Sequence, residues 1–392
     1  MLRALDHTRL TLKRITLAAA AAVLAACTLE TPSTTLTQAP QLDVNKPVPV
    51  ALLVPKSSNG AGTVAANLEN AAKMAVADLG AVKIDLRVYD TAGSADVAAQ
   101  QAQRAVDEGS KIILGPLFAE AANAAAVAVG DEGVNVMSFS NNPSIAGGNV
   151  FILGKTFDNT ASRLMSFAKS QGKSRAVIVH PENVEGEFGR VALQRAANEV
   201  GIEVVSVQSF TFTPQGVIDA VNPIKNATLS GNADLLLLTS TSAGALPLLA
   251  QMLPEAGINP ATIQYAGLSR WDIPPQTLAL AGLQNGWFAI PDVTRTQNFS
   301  TRYQAAYGAQ PHQLASLAYD GIAAIGALVA AGKANALTAD ALTQSSGFEG
   351  VDGIFRLNKN GTNERGLAIA QVKEQRVHII DAAPSSFTFS GF

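Results

Sequence analysis

Val48-Pro49-Val50-Ala51-Leu52-Leu53-Val54, followed at once by Val64, Leu68, Ala71, Ala72, Ala75 and Leu79, decides the fold of this chain. The first run is short, apolar and almost uninterrupted, as in a strand buried on both faces. The second recurs at three- and four-residue spacing, the period of an amphipathic helix. The same alternation continues downstream. Ile84, Leu86 and Val88 alternate as a strand, 96–108 is helical, and Lys111-Ile112-Ile113-Leu114 is a strand ended by the turn Gly115-Pro116. Residues 119–129 form an alanine-rich helix, then Val134-Asn135-Val136-Met137 and Phe151-Ile152-Leu153 supply two more strands. Strand, helix, strand in this rhythm builds right-handed βαβ units and a parallel sheet covered by helices.

The rhythm restarts after Thr156. Helices are predicted over 160–170, 191–200, 214–224 and 243–255. Between them lie the strands Ala176-Val177-Ile178-Val179, Val204-Val205-Ser206-Val207, Leu235-Leu236-Leu237-Leu238 and Gln264-Tyr265-Ala266. Trp287-Phe288-Ala289-Ile290 and helices over 299–307 and 314–331 follow, and the chain ends in turn-linked strands at 353–357, 366–372 and 377–380. The expected architecture is α/β, with two Rossmann-like lobes on parallel sheets: 48–156 plus 292–346, and 157–291 plus 347–392. Ligands of such folds sit outside the carboxyl ends of the strands.

The amino terminus reads differently. Arg3, Arg9, Lys13 and Arg14 precede the apolar run 15–26, which is shorter than the roughly 20 residues a membrane span needs and closes on Leu24-Ala25-Ala26-Cys27. A basic start, a short apolar core and small residues before the cut site describe an export signal over 1–26. Cys27 after Leu-Ala-Ala resembles the bacterial lipobox, which implies lipidation of Cys27 and tethering to a membrane in an extracytoplasmic space. Residues 27–47, rich in Thr, Pro, Ser and Gln, read as a flexible tether.

Composition narrows the function. With a single cysteine, the mature chain holds neither a disulfide nor a cysteine-ligated metal. A net charge of −3 without a basic run gives no footprint for nucleic acid. Beyond the signal, His180, His312 and His378 are far apart, with no acidic spacing that makes a triad or a metal site. No nucleophile elbow or P-loop occurs, and His180-Pro181-Glu182 reads as a solvated loop. The expectation is a non-enzyme with no cofactor and no metal.

Four motifs carry a family likeness: Ile113-Leu114-Gly115-Pro116-Leu117, Val136-Met137-Ser138-Phe139-Ser140-Asn141, Ala318-Tyr319-Asp320 and Gly350-Val351-Asp352-Gly353-Ile354-Phe355. In this order they resemble the type I periplasmic binding protein fold, in its leucine-binding branch. The resemblance implies three crossings between lobes, placed near Thr156, Pro291 and Gly347. The lipobox, Gly286-Trp287-Phe288-Ala289 and the stretch 350–365 look most like the penicillin-binding-protein activator lipoproteins. That likeness implies a peptidoglycan synthase (a penicillin-binding protein) as partner and, with Thr28 after the cysteine, the outer membrane. The alternative is the solute-binding component of an ABC importer for branched-chain or other amino acids, with a permease partner and a small-molecule ligand.

By the same resemblance, the candidate ligand groups are Phe118, Ser138, Ser140, Asn141, Phe188, Ser269 and Asp272; Ser57 and Ser58 join them because 57–60 follows the first strand and precedes a helix, a place that offers N–H groups to an anion. A zwitterion needs donors for its carboxylate and an acid for its ammonium, because an unpaired buried charge costs several kcal/mol. Against the family pattern, Ala119 stands in a turn expected to be Ser/Thr-rich, Asn142 replaces a threonine, Phe188 a tyrosine and Ser269 a glutamate. Asp272 is a possible substitute acid, and Arg270 is placed to pair with it instead. Bland readings stay open beside these: Ser138, Ser140 and Asn141 satisfying a strand end, Phe188 packing on its own lobe, 57–60 as an N-cap, and Trp271 and Trp287 as hinge packing.

Overall fold

In the computed structural model, which describes residues 40–43 and 45–387, strands β1 (Val48–Val54), β2 (Ile84–Asp90), β3 (Ile112–Leu114), β4 (Val136–Ser138) and β5 (Val150–Ile152) form one parallel sheet in the order β2-β1-β3-β4-β5. The signal segment and Cys27 lie outside the described residues. Helices α1 (Gly62–Asp78), α2 (Ala95–Asp107) and α3 (Ala119–Ala128) connect the strands. The period-2 geometry of β1 splits its side chains between two cores. Val50, Leu52 and Val54 face α1, while Ala51 and Leu53 join Ala102, Ala105 and Ala125 on the other side. A strand buried on both faces has no polar alternation, and its sequence shows none.

The second lobe repeats the plan. It contains α4 (Phe157–Ser170), β6 (Arg175–Pro181), α5 (Val184–Val200), β7 (Glu203–Phe210), α6 (Pro214–Ser230), β8 (Leu235–Leu238), α7 (Leu246–Glu255), β9 (Gln264–Gly267) and β10 (Trp287–Ile290). Val177 and Val179 pack on the α6–α7 side, Ala176 and Ile178 on the α4–α5 side. The chain then returns with α8 (Val293–Tyr307), α9 (Ala315–Ala330) and the short α10 (Ala339–Leu342). Phe299 and Tyr303 of α8, Ala318 and Ile322 of α9 and Leu342 of α10 complete the first core. Strands β11 (Phe348–Gly350), β12 (Gly353–Leu357) and β13 (Asn363–Arg365) make a small antiparallel sheet. Finally β14 (Ala368–Lys373) and β15 (Arg376–Asp381) extend the second sheet, antiparallel, to the order β15-β14-β10-β9-β8-β6-β7. The α/β class with a parallel-rich sheet in each lobe is the one the sequence predicts.

Several boundaries differ from the sequence reading, each for a local reason. Helix α4 starts at Phe157 because Thr156 and Asn159 form a reciprocal capping box. Helix α5 starts at Val184, seven residues early by the apolar pattern, because Asn183 Oδ1 accepts from Gly186 N at 2.7 Å. Its first turns carry exposed Val184 and Phe188, so the pattern that marks a buried face is absent there. The third crossing also moves. Phe348, Phe355 and Leu357 belong to the first core, and the chain enters the second sheet at Ala368 rather than near Gly347. The assigned tether is docked at its end: Leu42 is buried on the first core and donates its N–H to Ala334 O at 2.8 Å.

Candidate functional site

On the first lobe the carboxyl ends of β1, β3 and β4 carry the expected residues. Ser57 is exposed, and its N–H donates to Asp90 Oδ1 at 3.2 Å. Ser58 and the half-exposed Phe118 meet around Gly93: a Cβ there would lie 2.8 Å from Ser58 Oγ and 3.4 Å from the Phe118 ring. The N-cap reading of 57–60 does not hold. Helix α1 begins at Gly62 behind Ala61, with no side-chain cap, and 55–61 is a tight turn in which Ala61 N donates to Ser58 O. Gly115 is obligatory at the end of β3, where φ is +95° and a Cβ would lie 2.1 Å from Leu53 O.

Ser138 and Ser140 are buried and engaged. Ser138 Oγ donates to Pro116 O at 3.1 Å and accepts from Ser140 N at 3.1 Å, and Ser140 Oγ accepts from Asn142 N at 3.1 Å. These hydroxyls tie the β3 and β4 ends together. Asn141 is exposed beside them.

On the second lobe, Ser269 Oγ donates to Ser240 O at 3.0 Å. Asp272 is clamped by Arg270, whose Nε lies 2.6 Å from Oδ1 and whose Nη2 bonds Oδ2. Two parallel charge-assisted bonds are roughly twice as strong as neutral ones, so a ligand ammonium would have to displace a guanidinium to reach Asp272. On the first lobe, Asp90 is likewise occupied, by the N–H groups of Ser57 and Ala92, which hold its pKa below the usual carboxylate range against the opposing effect of burial.

The sequence reading missed the stretch Thr239-Ser240-Thr241. With Asn183, Gly186 and Phe212 it lines a small pocket beyond β8, and Ser240, 3% exposed, keeps a hydroxyl with no hydrogen-bond partner. The available signal was the abrupt change from four leucines to Thr-Ser-Thr-Ser over 235–242. Phe188 is 45% exposed and Phe212 54%. Phe188 is therefore not packed away on its own lobe.

Two of the four motifs that carried the family likeness, Ala318-Tyr319-Asp320 and Gly350 to Phe355, meet at the crossings. Asp352 accepts from Ser316 Oγ at 2.6 Å and pairs with Lys155 Nζ at 2.7 Å, joining the first crossing to α9 and to the β11–β12 turn. Asp320, fully buried on α9, accepts from Val351 N at 2.7 Å and pairs with Arg365, which also donates to Leu153 O at 2.5 Å. Burial pushes Asp320 up to about 6, only partly offset by Arg365. At Asp352 burial also acts upward, but Lys155 and Arg365 together hold it below its ordinary value.

Other candidates resolve into structure. Trp271 is fully buried between Gly267 and Gly286, where Cβ atoms would lie 2.3 and 2.4 Å from its ring. Trp287 packs edge-on against Phe167 at 4.9 Å. His180, expected in a solvated loop, is buried in β6 at 7% exposure because the strand runs on to Pro181. Among the described residues no cluster of His, Cys, Asp or Glu could hold a metal ion, and no helix is long and apolar enough to cross a membrane.

Comparison with known proteins bears on the same region. A family model described as periplasmic binding protein matches residues 47–376. A putative branched-chain amino acid ABC transporter protein from Rhodospirillum rubrum is similar at TM-score 0.74 and 18% identity, over 86% of this chain and 100% of its own. A substrate-binding protein from Desulfitobacterium hafniense in complex with Leu gives 0.63 and 18%, over 86% and 100%. A solute-binding protein from Rhodopseudomonas palustris in complex with 3,4-dihydroxybenzoic acid gives 0.57 and 17%, over 86% and 98%. Among curated proteins, none matches the chain. The penicillin-binding-protein activator reading, first choice from the sequence, finds no support in these matches. They favour the transport alternative.

Proposed function

This chain belongs to the periplasmic binding protein family, and from that membership we propose that it is the solute-binding component of an ABC importer, acting in the periplasm and catalysing no reaction. The observation that carries the reading is the pocket beyond β8. Its buried Ser240 hydroxyl lacks a partner, Thr239 and Thr241 flank it, and Phe212 forms part of its wall. A buried hydroxyl left unmade costs about 1–3 kcal/mol; the free space beside it, about 20 Å³, admits one water-sized group in this arrangement of the lobe, so a larger solute occupies the surface that Phe212 and Thr241 present outside it. Closure of the lobes over the solute then gives a permease a distinct surface to recognise.

The residues argue for the class of solute. With Asp272 held by Arg270 and Asp90 held by backbone N–H groups, neither is free for an ammonium, while Phe118, Phe188 and Phe212 offer exposed rings. The proposed ligand is a small organic acid with an apolar or aromatic body, ahead of a free α-amino acid. The leucine and dihydroxybenzoate complexes of structurally similar proteins are consistent with a ligand of that size. Anchoring through a lipid on Cys27 is part of the proposal and rests on Leu24-Ala25-Ala26-Cys27. Labelled palmitate incorporated by the native chain and not by Cys27→Ser would support it.

Thermal-shift and calorimetric titration with aromatic carboxylates, aliphatic carboxylates and the twenty amino acids tests the cleft. Ligand at about 100 times its dissociation constant adds about 2.7 kcal/mol of stability. A melting curve unmoved by the whole panel, together with unchanged uptake of these solutes in a deletion strain, would count decisively against importer function.

A further inference from the structure

Asparagine is followed by glycine at Asn59-Gly60, Asn285-Gly286 and Asn360-Gly361. Such a pair is reactive as well as a turn signal, because a glycine N–H with no Cβ beside it can reach the asparagine side-chain carbonyl. Whether it does so depends on how firmly the fold holds the two groups apart.

Two of the pairs are locked. Asn360 Oδ1 accepts from Thr362 N at 3.1 Å and from Thr362 Oγ1 at 2.7 Å. Gly361 donates its N–H to Asn358 O at 2.9 Å and accepts from Ile152 N at 2.8 Å, and a Cβ on it would lie 2.3 Å from Gly147 N. Asn285 donates its N–H to Val372 O at 2.7 Å. Gly286 donates to Leu283 O and accepts from Val372 N, each at 3.0 Å, with the Trp271 ring 2.4 Å from where its Cβ would stand. Attack at either pair has to open several hydrogen bonds inside a packed wall.

Asn59-Gly60 is the opposite case. Both residues are exposed, and a Cβ on Gly60 would meet nothing within 4 Å. Among the described residues, neither the Gly60 N–H nor the Asn59 side-chain amide has a hydrogen-bond partner. A single long bond, from Ala61 N to Ser58 O at 3.3 Å, spans the pair.

We propose that Asn59 is a site of spontaneous modification, deamidation through a cyclic imide, and that the fold confines the reaction to this one of its three Asn-Gly pairs. Solvent hydroxide takes the Gly60 amide proton, and the nitrogen forms a bond to Asn59 Cγ. The Cγ–Nδ2 bond then breaks, and ammonia leaves with a proton supplied by water. A second water opens the imide at either carbonyl, giving aspartate or isoaspartate. Ammonia is lost and water gained, so the chain becomes heavier by about 1 Da and gains one negative charge, with no change of oxidation state. The isoaspartyl product adds a methylene to the main chain inside the turn that Ala61 N and Ser58 O close. Either product places a carboxylate beside Ser57 and Ser58 at the end of β1. This holds whatever the cleft binds.

Peptide mass mapping of the full chain, kept folded in mildly alkaline buffer and sampled over days, tests it, with isoaspartyl methyltransferase labelling to mark the rearranged product. The chain unfolded in guanidinium gives the reference, in which the three pairs should react at similar rates. In the folded chain Asn59 should react first, and Asn285 and Asn360 should be slower by about tenfold or more, because bonds must open before attack. Asn59→Ser should remove the main acidic form that ion-exchange chromatography separates from aged protein. The proposal is overturned if Asn285 or Asn360 reacts as fast as Asn59 in the folded chain, or if folding slows Asn59 as much as it slows the other two. Persistence of that acidic form in Asn59→Ser overturns it as well.

Discussion

Arg365 Nη1 lies 3.3 Å from Asp320 Oδ2 with both side chains shut away from solvent, at 2% and 0% exposure. The pair joins α9 to β13, and the same guanidinium holds Leu153 O at the first crossing and lies 5.1 Å from the Phe355 ring. It ties three separate stretches of chain together at the hinge.

Removing one partner of a buried pair leaves the other uncompensated and costs about 3–5 kcal/mol. Arg365→Met should therefore lower stability by about that amount. The double variant Asp320→Asn/Arg365→Met should lose clearly less than the sum of the single changes. Urea unfolding of the four proteins at neutral pH measures both.

Asp320 also sets a pH dependence. Burial raises its pKa to about 6 from 3.8, so the folded state binds this proton more tightly than the unfolded state does. Its stabilising contribution is fully present below the unfolded value and lost as pH rises through the folded one. Asp352 is shifted the other way, so its contribution is present above its ordinary value of 3.8 and disappears only as pH falls through its lower folded value. Between pH 7 and pH 5 the native chain should gain stability relative to Asp320→Asn. Parallel urea midpoints for the two proteins across that interval would refute the assignment.

Gly350 faces the same carboxylate. A Cβ there would lie 2.4 Å from Asp320 Oδ1, closer than real contacts allow. Gly350→Ala should cost about 1–3 kcal/mol through displacement of the aspartate. Much of that cost should vanish when the aspartate is shortened in Gly350→Ala/Asp320→Ala, measured relative to Asp320→Ala alone.

Trp271 fills its slot between Gly267 and Gly286 completely, so Trp271→Ala should destabilise by about 3–5 kcal/mol through the cavity it leaves. If the tryptophan instead lined the cleft, the same change would alter ligand binding with little loss of stability. Chemical denaturation separates the two outcomes.

Freeing Asp272 should change which ligands bind. With Arg270→Gln the carboxylate loses its guanidinium and becomes available to an ammonium. Affinity for leucine should then rise at least severalfold relative to a matched amine-free carboxylate. Calorimetry with the pair of ligands on both proteins reads the ratio, and an unchanged ratio would argue that Asp272 does not face the solute.

The two lobes were legible because a strand buried on both faces and an amphipathic helix leave local signatures. Leu52 and Leu53 point to opposite cores, yet both must be apolar. Caps were partly legible: Thr156 and Asn159 stand three apart, but the exposed apolar first turn of α5 concealed Asn183. The third crossing was not legible, because residues 348–357 are apolar enough for either core and only packing assigns Phe348 and Phe355 to the first.

By itself, then, the sequence determined the α/β rhythm, the pair of lobes and the family, because helix and strand periods are properties of neighbouring residues. The tertiary structure alone decided what the polar groups do. Arg270 takes Asp272, Ser138 and Ser140 bind backbone, and Ser240 is left unpaired. Whether a carboxylate or hydroxyl is free depends on which groups lie within about 3 Å of it, and in a chain folded from alternating units those groups come from segments far apart in sequence.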